Sequence, residues 1–183
     1  MKKIIGFIIC FFILGVISIT NASTFYIYNG HKYWVVEEPG ISWEAAQEIA
    51  VNSGGYLATI TSPEEQAFIE ENLPLVWYLW IGGYQTAPSN DPSANWAWVT
   101  GEPWSYTNWG PGEPNDYFGY ASEEYLTIRG DGMWNDLWND PNRFNSYIQG
   151  FIVEAPVPIP GTIWLLGAGL AGVLGIKFFR KNT

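Results

Sequence analysis

Cysteine is nearly absent. The chain of 183 residues has one, Cys10, inside an apolar run near the N-terminus, which excludes disulfides and thiolate metal sites from everything that follows. Histidine is as scarce: His31 stands alone, so zinc sites built from several imidazoles are excluded too. Basic residues are missing where acids are dense. All 18 acids fall between Glu37 and Glu154, and residues 23–155 keep only Lys32, Arg129 and Arg143 against them, a formal charge of −15. Such a surface repels phosphate backbones and argues against nucleic acid as a partner.

The two ends lack acids altogether. Lys2 and Lys3 precede an apolar run, Ile4–Ile19, and Thr20-Asn21-Ala22 supplies small residues ahead of Ser23. This is the layout of a secretory signal peptide over residues 1–22, cleaved after Ala22, with an uncleaved anchor as the alternative. At the other end Thr162–Ile176 carries no charge, and Thr162–Phe179 spans 18 residues, near the lower limit for a transmembrane helix. The trailing cations favour a cytoplasmic end, leaving the acidic region outside; a buried core helix is the competing reading. Residues 156–161 form a Pro-rich linker and 180–183 a basic tail. Val157-Pro158-Ile159-Pro160, Trp164-Leu165-Leu166-Gly167 and Arg180-Lys181 resemble the bacterial PEP-CTERM class of sorting signals, with Ile159 where the namesake glutamate stands. That resemblance implies an exosortase-type processing enzyme as partner, an inner-membrane anchor before sorting, and delivery to the cell surface or extracellular matrix.

Residues 23–155 are one domain's worth of chain. Thr24–Tyr28 and Lys32–Val36 flank Asn29-Gly30, a two-residue hairpin signal. Ser42 caps a helix whose apolar positions are Trp43, Ala46, Ile49 and Ala50, ended by Gly54-Gly55. Tyr56–Ile60 reads as a strand. Ser62-Pro63-Glu64-Glu65 starts a second helix, with Glu65 reaching back to the cap, which runs to about Asn72 before Pro74. Val76–Ile81 reads as a buried strand closed by Gly82-Gly83. From Gln85 to Ser122 the chain is rich in Gly, Pro, Asn and Trp and has little periodicity; its four tryptophans need a core, so this is an ordered long loop. Strands resume at Tyr125–Ile128, Met133–Asn135 and Gln149–Glu154. The sum is an α+β domain of two helices on small antiparallel sheets.

Seven carboxylates lie between Glu113 and Asp140, namely Glu113, Asp116, Glu123, Glu124, Asp131, Asp136 and Asp140, with Arg129 the one cation among them. Crowding them in compact structure has three solutions: a solvated face, raised pKa values, or a bound hard cation. Calcium takes six to eight oxygen ligands from carboxylates, amides and carbonyls, and Asn115 and Asn135 stand beside the acids. The EF-hand pattern is absent.

Several ordered motifs then bear on the choice: Ser42-Trp43-Glu44-Ala45-Ala46, Gly54-Gly55-Tyr56-Leu57-Ala58, Trp80-Ile81-Gly82, Trp109-Gly110-Pro111-Gly112-Glu113-Pro114-Asn115-Asp116, Gly132-Met133-Trp134-Asn135-Asp136 and Gly150-Phe151-Ile152-Val153-Glu154. Together they resemble the C-type lectin domain over nearly all of Tyr26–Glu154. The resemblance implies a double-looped fold whose long loop carries a calcium site, with ligands Glu113, Asn115, Glu123, Asn135 and Asp136 and a cis bond before Pro114. Of these, Glu113, Asn115, Glu123 and Asn135 would also contact sugar, in the mannose/glucose-type order, and Asp116 and Glu124 match auxiliary metal positions. A second Trp-Asn-Asp at Trp138–Asp140 is set aside because the acid expected twelve residues upstream fits Glu123 with Asn135, whereas Asn139 would require Thr127. The family's cysteines are replaced by Ala50 and Val153 in one pair, and by Tyr125 and Asn139 in the other.

An enzyme would have to use Glu113 and Glu123 as a glycosidase pair or His31 in a triad, and nothing distinguishes one acid from the other. The expected function is calcium-dependent carbohydrate binding by a non-enzymatic lectin. The alternative is an adhesive, protein-binding domain of the same fold that uses no calcium.

Overall fold

The computed structural model describes residues 24–117, 119, 122–139 and 147–158. The expected signal peptide, the hydrophobic span at 162–179 and the basic tail lie outside them. Among the described residues no helix is long and apolar enough to cross a membrane.

The elements in chain order are β1 (Tyr26–Tyr28), β2 (His31–Glu37), α1 (Trp43–Asn52), β3 (Tyr56–Leu57), α2 (Pro63–Asn72), β4 (Tyr78–Gln85), β5 (Trp96–Trp98), β6 (Tyr125–Arg129), β7 (Trp134–Leu137) and β8 (Ile148–Pro156). Instead of small separate sheets, the strands join in one sheet of order β1-β2-β8-β4-β6-β7, with β3 on β8 and β5 on β4. It is mixed: β4 and β8 run parallel and every other pair antiparallel. The last strand sits between β2 and β4, which brings the ends of the domain together. Val157 N donates to Gly30 O at 2.8 Å, so the domain holds residues beyond Ala155 that the sequence assigned to the linker.

Alternation along the strands sends side chains to opposite faces. Leu79, Ile81 and Ile152 join one core cluster with Ile69 of α2 and the long-loop tryptophans. Trp80, Phe151 and Val153 join the other with Trp43, Ala46 and Ala50 of α1. One helix therefore covers each face, and the long loop fills the rest of the α2 side. Both helix starts follow from their caps: Ser42 Oγ accepts from Ala45 N and Ser62 Oγ from Glu65 N, each at 3.2 Å.

Four local expectations change. Ile49 is exposed, because the stripe of α1 that meets the sheet is only as wide as Trp43, Ala46 and Ala50. Glu65 reaches back one residue further than the cap, accepting from Thr61 N at 2.9 Å, and it also accepts the Tyr33 hydroxyl at 2.6 Å. Gly82 and Gly83 lie inside β4 and do not end it. A Cβ on Gly82 would stand 2.5 Å from Leu57 O, and one on Gly83 2.5 Å from Leu126 Cδ2, so the glycines admit neighbouring chain into close contact. The Tyr56–Ile60 strand shortens to two residues for the same reason: Ala58 O leaves β3 to accept from Gly82 N at 2.8 Å.

Because the obstacle at Gly82 is backbone, it cannot swing aside. Gly82→Ala should lower stability by about 1–3 kcal/mol, read as a reduced urea midpoint with unchanged slope. An unaltered midpoint would show that the strand yields there.

Candidate functional site

The long loop is fastened to β7 by hydrogen bonds and by indole packing. Trp134 N donates to Asn108 O at 2.8 Å, and Gly110 N to Trp134 O at 2.9 Å. Around this seam Trp96, Trp98, Trp104, Trp109 and Tyr106 pack in ring contacts centred on the buried Trp134. Trp134 Nε1 donates to Gln66 Oε1 at 2.9 Å, which fixes the ring to α2. Offset and edge contacts of this kind add about 0.5–1.5 kcal/mol each beyond area burial.

That seam delivers Glu113, Asn115 and Asp116 to β7, alongside the buried Asp136; Asn135, its strand neighbour, points to the other face. The Glu113–Pro114 bond is cis, as the resemblance implied. The Asp136 carboxylate accepts from Asn115 N at 3.1 Å and Asp116 N at 2.8 Å. Asp116, at φ +46°, turns its own Oδ1 onto Ser122 N at 2.6 Å, Ser122 Oγ at 2.8 Å and Glu123 N at 3.0 Å. Tyr117 N donates to Glu123 Oε2 at 2.7 Å. Glu113, Asn115, Asp116, Glu123 and Asp136 are thus joined in one network, whereas the Asn135 side chain donates to the Asp136 carbonyl and, among the described residues, meets none of the other candidate ligands. Glu124 is joined to β4 through its carbonyl, which accepts from Gln85 N at 2.9 Å. Asn139 of the second Trp-Asn-Asp serves elsewhere: its Oδ1 accepts from Trp43 N at 2.6 Å, at the start of α1.

A solvated acidic face does not describe this cluster. Glu123 is 5 % exposed and Asp136 1 %. Burial pushes the Glu113 carboxyl up to about 7; the Asp136 charge adds to this, and Arg129 offsets part of it. Glu123 is likewise pushed up to about 7 by burial, against the lowering effect of the Tyr117 N–H and with further push from Asp136, Glu113 and Asp116. Burial also raises Asp136, opposed by the N–H groups of Asp116 and Asn115. Glu113 meets Asp136 and the Asn115 side chain, yet its Oε2 atom is buried with no hydrogen-bond partner among the described residues. A buried carboxylate oxygen without a partner is costly unless a proton or cation arrives.

The donors are all hard oxygens, which suits calcium and not the softer metals. Against this, among the described residues no group of three or more acids or imidazoles is arranged to hold a metal ion. The reason is visible in the bonds: Asp136 gives its oxygens to two loop amides and Glu123 gives one to a third, so a cation would compete with N–H groups for them. Sequence reasoning gave Arg129 no role beyond its charge. It lies over the loop, 3.0 Å from where a Cβ on Gly110 would be, and its being the one cation in the cluster was the available signal.

Residues 40–143, more than half of the chain, match the family model for the lectin C-type domain. The chain belongs to the C-type lectin domain family. Human C-type lectin domain family 10 member A is 33% identical over 109 residues, which is 57% of this chain and only 32% of that protein's length. The cow C-type carbohydrate-recognition domain of CD23, solved in the presence of a GlcNAc2Man3 oligosaccharide, superimposes with TM-score 0.61 at 28% identity, covering 74% of this chain and 95% of that one. A calcium-independent type II antifreeze protein superimposes with TM-score 0.56 at 26% identity, covering 72% and 91%. The fold is thus shared by a carbohydrate-recognition domain and by a calcium-independent protein.

The raised carboxyls give this lectin-like domain a pH signature. With folded-state values near 7, above the usual 4.5, Glu113 and Glu123 hold protons that the unfolded chain has already released. Metal-free stability is therefore greatest below about pH 4.5 as far as these groups are concerned, and it falls as pH rises towards about 7. The melting temperature of EGTA-treated protein should drop between about pH 5 and 8, and Glu123→Gln should flatten that slope. A variant slope equal to the parent's would contradict the assignment.

Proposed function

We propose that this domain is a calcium-dependent, carbohydrate-binding lectin of the mannose/glucose type, exported to the bacterial envelope or extracellular matrix. The observation that carries the reading is the unsatisfied Glu113 Oε2, buried beside two further carboxyls that burial has driven upward. Glu113, Asn115, Glu123, Asn135 and Asp136 would hold the ion, with Asp116 and Glu124 as auxiliary positions. When bound, calcium supplies a Lewis-acid centre that accepts two neighbouring hydroxyl oxygens of a pyranose. Around it the chain's own groups set specificity. The amides of Asn115 and Asn135 donate to the hydroxyl oxygens, while Glu113 and Glu123 accept the hydroxyl protons.

Binding is favoured over catalysis by the same electrostatics. Glycoside hydrolysis needs one carboxyl kept protonated and its partner ionised. Here burial raises both Glu113 and Glu123, and nothing in their surroundings marks one as the protonated acid and the other as its ionised partner. A protein-binding, calcium-independent role is the second reading. It is favoured by the lack of a metal-ready carboxylate group among the described residues and by the antifreeze relative. Export rests on the apolar N-terminal run and the PEP-CTERM-like tail, with an exosortase as the processing partner.

Calcium should raise the melting temperature and shift tryptophan emission, because Trp109 and Trp134 form the seam that carries the candidate ligands. EGTA that changes neither would overturn the calcium reading and leave the protein-binding one. Glu113→Gln combined with Asn115→Asp should move preference from mannose to galactose on a glycan array; unchanged preference would mean that this loop does not read the sugar.

A further inference from the structure

Away from the carboxylate site, the entrance to β4 carries exposed aromatic surface. Trp77 is 68 % exposed, and its ring lies 6.3 Å from that of the exposed Tyr147, inclined at 47°. Tyr147 in turn stands edge-on to Tyr78, centroids 6.1 Å apart. Val76 and Met133 are exposed alongside, at the start of the same segment and in the turn that faces it. That turn is held close: Gly130 N donates to Trp77 O at 3.1 Å, and a Cβ on Gly130 would lie 3.6 Å from the Val76 carbonyl carbon.

The same turn borders an open cleft of about 360 Å³, whose lining includes Glu70, Pro74, Leu75, Gly130 and Asp131. Its exposed lining is mostly polar and includes two carboxylates in fixed positions. Glu70 Oε1 accepts from Gln66 Nε2 at 2.7 Å, and Asp131 pairs with Arg129 while its Oδ1 accepts from Met133 N at 3.1 Å. An exposed indole and phenol beside a shallow cleft with oriented acceptors is the chemistry that takes a sugar ring: aliphatic C–H faces lie on the aromatic rings and hydroxyls donate to the rim. Anionic ligands are disfavoured by the rim charges. A large apolar partner is disfavoured by the cleft's size and its carboxylates.

We propose that Trp77 and Tyr147, with the Glu70–Asp131 cleft beside them, form a metal-independent saccharide subsite that engages a second unit of a neutral glycan chain. Arg129 connects it to the first site. Its β6 position pairs with Tyr78, and its side chain lies over Gly110, whose carbonyl accepts from Glu113 N at 3.0 Å in the loop's turn. The identity of the occupant as a saccharide draws on the lectin reading above, but binding at this subsite needs no calcium. The domain would hold a polymer at two points, which raises affinity without tightening either contact.

The test uses mannohexaose and cellohexaose against mannose and glucose, each with calcium and with EGTA, followed by saturation-transfer NMR and titration. Trp77→Ala and Tyr147→Ala should each weaken hexasaccharide binding about tenfold and leave monosaccharide binding in calcium unchanged. Trp77→Phe should restore most of the loss. In EGTA the parent should keep weak hexasaccharide binding with saturation transfer from Trp77, and Trp77→Ala should abolish it. If EGTA has no effect on any sugar while Trp77→Ala still removes hexasaccharide binding, the subsite stands and the calcium reading falls. Hexasaccharide binding that is absent, or that is equal in parent and Trp77→Ala, overturns the subsite. So does a Trp77→Ala variant whose only change is loss of self-association, which would make the platform a protein contact.

Discussion

Asp136 joins the two halves of this site. Its carboxylate belongs to β7, yet it accepts from the backbone of Asn115 and Asp116, some twenty residues upstream in the loop. A buried carboxylate must find donors or lose its charge, and here the loop's own amides supply them. That single demand sets where Glu113 and Asn115 stand. Through Asp116, which clasps Ser122 and Glu123, it also sets where the second arm of the loop returns. The consequence is a set of strained ionisations. Burial raises Glu113, Glu123 and Asp136, repulsion from neighbouring acids lifts the two glutamates further, and one oxygen of Glu113 is left without a partner among the described residues. A proton or a cation at that oxygen would relieve the cost.

Holding so irregular a loop without disulfides falls to large aromatic rings. Five indoles meet around the loop seam, and Trp134 is anchored by Gln66, whose Nε2 also donates to Gly132 O at 2.8 Å. Where the family has cysteine pairs, this chain substitutes contact. Ala50 and Val153 are both buried in the α1-side core. Tyr125 and Asn139 both converge on Trp43, one through ring packing at 4.9 Å and the other by accepting its backbone N–H. A further polar knot ties β2, β3 and β8: Glu154 accepts from His31, Tyr56 and Thr59 N. Burial raises its carboxyl despite these donors. These interactions fix the strands β2, β3 and β8, where the ends of the domain meet.

Much of this was legible in local chemistry. Ser42, Ser62 and Pro63 announce helix starts because capping is a short-range event, and both starts occur where those residues stand. Asn29-Gly30 marks its hairpin for the same reason, with both residues at positive φ. What the sequence hid was long-range. Gly82-Gly83 has the look of a strand end, but its purpose is close approach by Leu57 and Leu126, residues far off in the chain. A mixed single sheet depends on the last strand entering parallel to β4, which no local pattern specifies. At the site, the motifs singled out Glu113, Asn115, Glu123, Asn135 and Asp136, and the fold brings the loop and β7 segments that carry them together. That Asp136 would be occupied with loop amides, and Glu123 with Tyr117 N, could not be read from residue spacing.

The central claim is that these crowded carboxyls exchange their protons for a divalent cation. Calorimetric titration of calcium into the domain, repeated in two buffers of different ionisation enthalpy, measures that exchange directly. One ion should bind per chain, with protons released near pH 6 and few released at pH 8. Heat that is the same in both buffers at pH 6, or no binding at either pH, would contradict the account.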